Sequence, residues 1–295
     1  MPLDEITSPS LSPHCMRCLL DKFLDACPAD VPWEERADYL RRILHAVAEG
    51  STNMTAPEIN HELGGILRDM FGIERDYTDV KRHFNQLVLG LEDRIARRIE
   101  ASDDPLGLAI RCALAGNFID FGPTGDVDED KLLHLVESAG EMKLDEDALL
   151  DLEGRIRQAR TITYLMDNCG EIVLDKLLIA QIARENPRAQ VTAIVRGAPA
   201  SNDATMDDAR QVGLANVSHV MGNGSDVAGT CPNRVNKQTL AALQESDLII
   251  SKGLANYETL SGRGQNAFFL FLCKCQLYVD VFDVPLHTAM IVRGV

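Results

Sequence analysis

The sequence predicts an α/β protein: a Rossmann-like, three-layer α/β/α domain with a mostly parallel sheet, preceded by an all-α domain. Apolar residues recur at helical spacing through the first half of the chain, and no convincing strand stands before residue 160. From residue 161 onward, short apolar runs alternate with helical patterns, as expected for a parallel sheet covered on both faces. We therefore assign residues 1–158 to the helical domain, with 1–13 as a mobile arm, and residues 159–295 to the α/β domain.

The helices of the first half follow from apolar spacing and from capping signals. The segment from Leu19 to Leu24 places its apolar residues on one helix face, as does the segment from Tyr39 to Val47. The run Thr55-Ala56-Pro57-Glu58 is a capping box, which predicts that another helix begins there. We expect these helices to wall a site on the sheet. Further helical patterns cover 78–100, 105–116, 128–142 and 145–159.

The second half contains short apolar runs that predict strands, with helical patterns between most of them. In open parallel sheets, ligands bind beyond the carboxyl ends of the strands, so the residues that follow each run are the candidates for chemistry. The predicted strands are 161–167, 190–196, 216–221, 247–251, 276–282 and 289–293.

The composition argues against several classes of function. A length of 295 residues suits one large domain or two smaller ones. The formal net charge of −16 and the pI near 4.8 oppose a nucleic-acid partner, because no basic stripe is present to bind a phosphate backbone. There is no signal-peptide pattern and no apolar run near the roughly 18 residues of a membrane span. We predict a cytoplasmic protein with no membrane partner, and the sequence predicts no particular oligomeric state.

The segment TITYLMDNCGEIVLD holds the clearest candidate site. A strand-forming run reaches Asp167 and Asn168, a turn follows at Cys169-Gly170, and a helical pattern begins at Glu171. A carboxylate and an amide supply hard oxygen ligands, which suit a divalent ion such as Mg²⁺ or Mn²⁺. Backbone N–H groups at the start of the next helix favour an anion. Together these features predict a phosphate site, whereas the simpler interpretation is that Asp167 only caps the helix.

Polar residues follow other predicted strands as well. After the second strand, a loop rich in Gly, Pro and Ser carries Arg196, Asn202 and Asp203, and a third acid there would complete an oxygen-only metal shell. After the fourth strand come Lys252 and then Asn256. A lysine at such a tip can hold a phosphate as a point charge, although an ordinary surface lysine is the alternative.

Two further segments fit the candidate site less directly. In AGNFIDFG, the pair Gly116-Asn117 closes a helix and Asp120 follows; such a pair is usually a cap, but its polar groups could instead face the metal. The segment MGNGSDVAGT is a Gly-rich loop, from Gly222 to Gly229, whose backbone could approach a ligand closely. Many loops have this composition, so the loop alone is weak support for a site.

The eight cysteines are scattered through the chain, so most are expected to remain thiols in a reducing compartment. Cys15 and Cys18 form a C-x-x-C that places both sulfurs on one helix face. A zinc site would need a second pair, and Cys273 with Cys275 could supply it only if the two ends of the chain meet. Buried structural thiols are the simpler interpretation.

Several familiar sites are absent from the sequence. No G-x-G-x-x-G follows the first strand, and there is no Walker A sequence and no G-x-S-x-G elbow. In YVDVFDVP, Asp280 and Asp283 resemble the D-x-D of haloacid-dehalogenase-type phosphatases. They stand too close to the C-terminus for the rest of that fold to follow.

Several separated motifs together resemble the damage-control phosphatases, a family long catalogued as a domain of unknown function (domain of unknown function 89). They are CMRC, AGNFID, DNCGEIVLD, RGAPASNDATMDDA, SKGLANYE and LCKCQ, and the resemblance covers about 14 to 295. It implies a helical domain beside a Rossmann-like domain. It also implies a phosphatase that uses Mn²⁺, Co²⁺, Ni²⁺ or Mg²⁺ and acts on small phosphorylated metabolites, including damaged ones. The C-x-x-C and the Lys-Cys resemble the mostly prokaryotic branch. The run from Phe268 to Leu272 is more aromatic than the family's usual helix at this place.

The resemblance also implies roles for single residues. It makes Asp167, Asn168 and Asp203 the metal ligands and Lys252 the cation that binds phosphate. The remaining residues that it places around the pocket are Glu171, Arg196, Asn117, Asp120 and Asn256.

Two mechanisms and two other functions remain open at this stage. Water on the metal could attack the phosphate, or an aspartate such as Asp167 could form a transient acyl phosphate. The Gly-rich loop could instead bind S-adenosylmethionine in a methyltransferase, which leaves the oxygen ligands without a role. A non-catalytic phosphometabolite-binding protein would use the same pocket without turnover.

Overall fold

The computed structural model describes residues 11–117 and 129–294. No helix within these ranges is both long enough and apolar enough to cross a membrane. The helices of the first half are α1 (Pro13–Asp25), α2 (Trp33–Gly50), α3 (Ala56–Phe71), α4 (Thr78–Leu89), α5 (Glu92–Glu100), α6 (Pro105–Gly116), α7 (Glu129–Ser138) and α8 (Glu146–Gln158). The second half contains β1 (Thr161–Leu165), α9 (Glu171–Glu185), β2 (Gln190–Val195), α10 (Met206–Gln211), β3 (His219–Gly222), α11 (Lys237–Glu245), β4 (Leu248–Lys252), α12 (Leu254–Leu260), β5 (Ala267–Leu272), α13 (Gln276–Phe282) and β6 (Ala289–Arg293).

The first three helices pack around an apolar core of their own. Each presents one apolar stripe to the other two, as the sequence spacing predicts. The buried members of this core are Leu19 and Phe23 on α1, Tyr39, Ile43 and Val47 on α2, and Ile59, Leu63 and Leu67 on α3.

Two predictions for this part of the chain, the capping box at Thr55 and the mobile arm at 1–13, can be compared with the structure. The predicted capping box is confirmed, because the backbone N–H and the hydroxyl of Thr55 both donate to the Glu58 carboxylate at 2.9 Å. Of the arm predicted at 1–13, residues 1–10 lie outside the described part. Leu11 is buried in the core of the first three helices and is therefore not part of a mobile arm.

The pattern over 78–100, predicted as one helix, forms the two helices α4 and α5. They are separated at Gly90, whose N–H closes α4 by donating to the Gln86 carbonyl. Glycine is among the poorest helix formers, so the helical ladder is weakest at this position. The turn lets Leu91 and Ile95 both reach the core, where each is almost completely buried.

The six strands form one sheet in the order β3-β2-β1-β4-β5-β6. The pairs from β3 to β5 are parallel, and β6 runs antiparallel to β5. The prediction of an α/β fold with a mostly parallel sheet is therefore confirmed. The chain extends the sheet from β1 in one direction and then returns to add β4 on the other side. This reversal between β1 and β4 opens a crevice at their carboxyl ends, where ligands bind in such sheets.

Two assignments near the C-terminus were wrong. The segment from Ala267 to Leu272, for which no strand was predicted and where the family resemblance implied a helix, is the fully buried strand β5. The segment 276–282, predicted as a strand, is the helix α13. Its apolar residues lie at helical spacing, so that Leu277 and Tyr278 are buried while Asp280 faces solvent. Both segments are short and apolar, and only pairing with β4 distinguishes the strand from the helix.

Helices cover both faces of the sheet. On one face, α4 to α9 share a single core with alternate residues of the strands, such as Ile162, Tyr164 and Ile250. On the other face, α11 to α13 pack on the intervening residues, such as Leu165 and Ile249. The helices α1 to α3 therefore have their own apolar core, and from α4 onward the helices share the core of the sheet. The domain boundary at residue 158 remains a prediction from the sequence.

Candidate active site

The three predicted metal ligands come together at the carboxyl ends of β1 and β2. The loop after β2 folds back against the residues that follow β1. The Ala204 N–H donates to the Asp167 carbonyl at 2.7 Å, and the Cys169 N–H donates to the Asn202 carbonyl at 2.9 Å. These bonds set Asn168 directly opposite Asp203 as an antiparallel pair. Their Cα atoms are then typically about 4.5 Å apart.

The Asp167 carboxylate is buried and is oriented by two amides. Its Oδ2 accepts hydrogen bonds from Asn117 Nδ2 at 3.1 Å and from Asn168 Nδ2 at 2.6 Å. Burial raises its pKa well above the ordinary value, and the neighbouring charges of Glu171 and Asp203 raise it further. This carboxylate is thus placed where a positive charge would stabilise its ionised form.

Asp203 is paired with a buried arginine. Arg196 Nε lies 2.6 Å from Asp203 Oδ2, and both side chains are almost completely buried. Burial raises the pKa of Asp203 despite this pairing. Arg196 Nη1 lies 3.5 Å from the Thr230 hydroxyl. Within the described residues Arg196 Nη2 is buried and has no hydrogen-bond partner, so one edge of the guanidinium is available to a ligand.

One oxygen of each predicted metal ligand receives no hydrogen bond from the residues described. Asp167 and Asp203 accept through Oδ2, and Asn168 donates through Nδ2. Oδ1 of all three therefore remains for a ligand, and a set of carboxylate and amide oxygens fits a hard divalent cation. In the described ranges no three His, Cys, Asp or Glu side chains are grouped to hold a metal; the predicted trio has two acids and an amide.

Lys252 and Glu171 form a fully buried ion pair beneath this trio. Lys252 Nζ donates to Glu171 Oε1 at 2.6 Å, to Asp175 Oδ1 at 2.7 Å and to the Ala113 carbonyl at 2.9 Å. Burial acts to lower the pKa of Lys252, but Asp175 and Glu171 outweigh it and raise the pKa. All three ammonium hydrogens have protein acceptors. A direct contact between Lys252 and phosphate remains a prediction, and it would require one of these bonds to break.

Glu171 links this lysine to the amides above it. Its Oε2 accepts from Asn117 Nδ2 at 3.0 Å and from Asn168 Nδ2 at 3.1 Å. Burial acts to raise the pKa of Glu171, but Lys252 and these hydrogen bonds prevail and lower it. Glu171 is therefore a stable carboxylate whose role in the structure is to orient the groups around Asp167.

The backbone at the start of α9 does not offer the anion site that the sequence predicts. The Gly170 N–H donates to Asn85 Oδ1 at 2.7 Å, and the N–H groups of Glu171, Ile172 and Val173 donate to nearby carbonyls. These donors are satisfied within the turn and are not free for phosphate. The simpler interpretation of Asp167 as a helix cap is also wrong, because the N-cap position belongs to Gly170 and has no side-chain hydrogen bond.

Of the three other residues predicted to line the pocket, Asn117 and Asn256 are buried at the strand ends. Asn117 lies in the site, and its Oδ1 accepts from the Leu272 N–H at 3.2 Å, which ties α6 to the end of β5. Asn256 is buried and bonded to the carbonyls of Met166 and Lys252 and to the Thr230 hydroxyl, so it joins the ends of β1 and β4. Asp120 lies outside the described residues.

Three residues near the site were missed by the sequence analysis. Asp175 contacts Lys252, Asn85 holds the Gly170 turn, and the exposed Lys274 acts electrostatically on Asp167, whose pKa it lowers. Asp175 stands four residues after Glu171, and this spacing on a helix was a usable signal for a shared face. Asn85 carries no local signal, because its partner is 85 positions away in the sequence.

Two glycines of the Gly-rich loop, Gly224 and Gly229, allow close packing against neighbouring backbone. A Cβ on Gly197 would lie 2.3 Å from the Gly224 nitrogen, so the loops after β2 and β3 meet backbone to backbone. A Cβ on Gly229 would lie 2.5 Å from the Ala255 carbonyl oxygen. Packing therefore accounts for these glycines without a bound nucleoside.

The cysteine motifs do not form a metal centre in the described part of the chain. Cys15 and Cys275 are partly buried and pack against the same apolar cluster, so the two ends of the chain do meet. Cys18 is exposed, and Cys273 is buried. The simpler interpretation of buried structural thiols therefore holds for Cys273 but not for Cys18.

Comparison with known protein families gives a match over nearly the whole chain. Residues 11–290 match the damage-control phosphatase ARMT1-like domain. The chain belongs to this family. This assignment confirms the resemblance that the separated motifs predicted, while placement in the prokaryotic branch remains a prediction.

Two archaeal members of the damage-control phosphatase family are similar over most of their length. A damage-control phosphatase of Archaeoglobus fulgidus is 30% identical over 276 residues, which covers 90% of this chain and 93% of that protein. A damage-control phosphatase of Pyrococcus horikoshii is 31% identical over 229 residues, covering 77% and 78%. The crystal structure of a DUF89 family protein from Pyrococcus horikoshii has a TM-score of 0.81 at 24% identity. It covers 96% of this chain and 99% of that one. The fold is therefore shared along nearly the entire chain.

Proposed function

We propose that this chain is a divalent-metal-dependent phosphatase that hydrolyses phosphate monoesters of small metabolites, such as sugar phosphates or damaged phosphorylated cofactors. The names of its relatives support a phosphatase role. The observation that carries the metal dependence is the set of Oδ1 atoms on Asp167, Asn168 and Asp203, which have no donor among the described residues.

The balance of buried charge supports a divalent cation at this place. Apart from Lys81 and Asp208, which pair with each other at 2.7 Å, four carboxylates and two cations, Lys252 and Arg196, are buried around the site in the described ranges. Burying uncompensated carboxylates is costly, which is why burial raises the pKa of Asp167 and Asp203. An ion of charge +2 would offset the excess. The four carboxylates are those of Asp167, Glu171, Asp175 and Asp203.

The proposed ion would be held by the free oxygens of Asp167, Asn168 and Asp203. When bound, a divalent ion supplies positive charge that neutralises the phosphate oxygens and polarises the ester. Oxygen ligands of this kind suit Mg²⁺ and Mn²⁺, and the family resemblance adds Co²⁺ and Ni²⁺. Asn117 and Asn168 keep the Asp167 carboxylate in one orientation, because both amides donate to its Oδ2.

Arg196 and Lys274 are the residues we propose to bind the phosphate itself. Arg196 Nη2 is a buried donor without a partner in the described ranges, and a guanidinium edge matches phosphate geometry. Lys274 is exposed and stands two residues after Leu272, whose N–H donates to Asn117 in the site. Its positive charge partly offsets the rise in the pKa of Asp167. Catalysis would then depend mainly on charge placed around the phosphoryl group in transit.

Two routes of attack are compatible with the site. The Asp167 carboxylate could attack phosphorus, which would form an acyl phosphate and release the alcohol before water hydrolyses the intermediate. Alternatively, water could attack directly, and Asp167 would hold the proton that it loses. Rapid-quench trapping of ³²P-labelled phosphate on the protein separates the routes, because only the first leaves label on Asp167.

A cleft of about 1330 Å³ beside the Asp203 loop offers room for the organic part of a substrate. Its walls are α1, α3 and α4 on one side and residues 198–201 on the other. Asp167 and Asn168 do not line the cleft, so it borders the site without containing it. Small-molecule pockets are commonly about 300–1,000 Å³, so this cleft is larger than the substrate of a typical small-molecule site requires.

The test is phosphate release from a panel of sugar phosphates and phosphorylated cofactors. Each substrate is assayed with Mn²⁺, Co²⁺, Ni²⁺ or Mg²⁺ and with EDTA. We expect turnover that requires metal and that Asp203→Asn abolishes. Turnover that is insensitive to EDTA would refute the metal dependence. Binding of a phosphorylated compound without any release would instead identify a non-catalytic binding protein.

A further inference from the structure

Asp175 is a fully buried acid one turn after Glu171 on α9. Residues four positions apart lie on the same helix face, so both carboxylates face Lys252 on the neighbouring strand. Asp175 Oδ1 accepts from Lys252 Nζ at 2.7 Å and from the Tyr164 hydroxyl at 2.7 Å. The Tyr164 side chain is also completely buried, and this hydroxyl hydrogen bond ties Asp175 to the centre of β1.

Packing alone does not account for an acid at this position. Asp175 Oδ2 is buried without a hydrogen-bond partner in the described residues. An unsatisfied buried polar atom destabilises the folded state, and an apolar residue of similar size would avoid that cost. Lys252 is already paired with Glu171, so Asp175 is not needed to neutralise it. What the second carboxylate adds is a fixed direction for the ammonium group.

The position of the Lys252 ammonium group fixes the orientation of the Glu171 carboxylate. Glu171 Oε1 is bonded to the ammonium group, which leaves Oε2 to accept from Asn117 and Asn168. The same two amides donate to Asp167 Oδ2. A continuous series of hydrogen bonds therefore runs from Asp175 to the carboxylate that we propose as a metal ligand.

We infer that Asp175 is a positioning residue, which fixes the ammonium group of Lys252 so that Glu171 and the two asparagines hold Asp167 and Asn168 in place for a cation. This inference rests on the proposed function. Asp175 does not touch the metal or the phosphate; it acts through Lys252. Partners of this outer kind typically change metal affinity or activity by about 10- to 100-fold when they are removed.

The test compares Mn²⁺ affinity, kcat and KM in the full chain and in Asp175→Asn. We expect Mn²⁺ binding to weaken by about 10- to 100-fold and kcat to fall by a similar factor, because the ligands are no longer held. KM measured at saturating Mn²⁺ should change little, because Asp175 does not contact the ester. The matched control is Glu153→Gln, which removes a buried acid paired with Arg157 at 3.0 Å on α8.

Tyr164→Phe provides a second variant that removes only one hydroxyl. It should weaken Mn²⁺ binding in the same direction and by less, because Lys252 still holds Asp175. Since Tyr164 acts through Asp175, we expect no further loss when Tyr164→Phe is added to Asp175→Asn. Thermal unfolding without metal identifies any variant that has lost its fold. If Asp175→Asn does not fold, Tyr164→Phe alone decides the outcome.

The outcomes separate this inference from the proposed function. Parent-like Mn²⁺ affinity and kcat in a folded Asp175→Asn, or in a folded Tyr164→Phe when Asp175→Asn does not fold, would overturn the positioning role and leave the phosphatase proposal standing. A parent protein that binds no divalent ion would overturn both. Equal losses of Mn²⁺ affinity in Asp175→Asn and Glu153→Gln would show a general effect of removing buried charge and would also overturn the inference.

Discussion

The carboxylate of Asp167 lies directly against the backbone of Gly253. A Cβ on Gly253 would fall 2.1 Å from Asp167 Oδ2, far inside van der Waals contact. Gly253 also has a φ of +83°, which side chains other than glycine rarely adopt. The turn between β4 and α12 therefore leaves no space for any residue but glycine, and Asp167 occupies the space that a side chain would fill.

Gly253→Ala should displace Asp167 and thereby weaken the proposed metal site. We expect turnover to fall by about 10²-fold or more, since small displacements of catalytic groups have effects of that size. Gly264→Ala is the matched control, because Gly264 also has a positive φ (+70°) but its Cβ would meet nothing within 4 Å. Activity assays and thermal unfolding of both variants make the comparison. Equal loss of activity in the two would attribute the effect to backbone strain and not to contact with Asp167.

Asp203→Asn should abolish metal-dependent turnover while preserving the shape of the side chain. Losing one charged contact in such a site typically costs about 10²- to 10³-fold in rate. Asp203→Ala would in addition leave Arg196 buried without its partner, which typically costs about 3–5 kcal/mol of stability. The control is Asp280→Ala, since Asp280 is exposed and, among the residues that the structure describes, is bonded to Gln276 alone. Full activity, measured as phosphate release, in a folded Asp203→Ala, which keeps no side-chain oxygen, would refute the assignment of Asp203 as a ligand.

Lys274→Ala should raise KM for the phosphate ester several-fold and make turnover less sensitive to salt. Lys274 is exposed, so its attraction for a phosphate is screened by ions. The stability of the protein should change by less than about 0.5 kcal/mol, as is usual at the surface. Lys143→Ala, which removes another exposed lysine, provides the control. A KM that is unchanged in Lys274→Ala at low salt would contradict the proposed phosphate contact.

Glu258 on α12 should make the stability of the protein depend on pH. The Glu258 side chain is partly buried, and loss of solvent there raises its pKa from 4.5 to about 7; it forms no hydrogen bond or ion pair with the described residues. Between these two values the folded protein binds more protons than the unfolded chain, so the free energy of unfolding decreases as the pH rises through this window. Above pH 7 the charged carboxylate keeps the fold less stable than a neutral side chain would.

Glu258→Gln replaces the carboxylate with a neutral group and removes this effect. The melting temperature should therefore rise above that of the parent at pH 8 but show little gain at pH 5. Glu49→Gln, which changes an exposed acid on α2, controls for the change in net charge. A gain that is the same at both pH values would show that burial of the Glu258 charge is not its cause.

The parts of the site that were predictable depend on local patterns. Asp167 and Asn168 end a strand and precede a helix, so the order of strand, turn and helix places them at the sheet edge. Asp203 was predictable from the loop after the second strand for the same reason. For Asp175 the only local signal was its helical spacing from Glu171, and its pairing with Lys252, 77 positions later in the chain, had no local signal.

Near the C-terminus, too, local patterns did not suffice to predict the secondary structure. The segments 267–272 and 276–282 are both short and apolar, and neither is long enough for the spacing of its apolar residues to decide between strand and helix. The first became β5 because it pairs with β4 on one side and β6 on the other. The second became a helix, since its buried residues fit one helix face.

The sequence by itself determined the alternation of strands and helices, the residues at the strand ends and the family. The first two follow from spacing within short segments, where periodicity and turn residues act directly on the backbone. The family follows from the resemblance of several separated motifs taken together. Only the tertiary structure decided that Lys252 faces two acids, that Asn85 takes the N–H expected to bind phosphate, and that Arg196 keeps a free edge. A buried polar group must find its partner wherever the fold brings one, and that partner is often far away in the sequence.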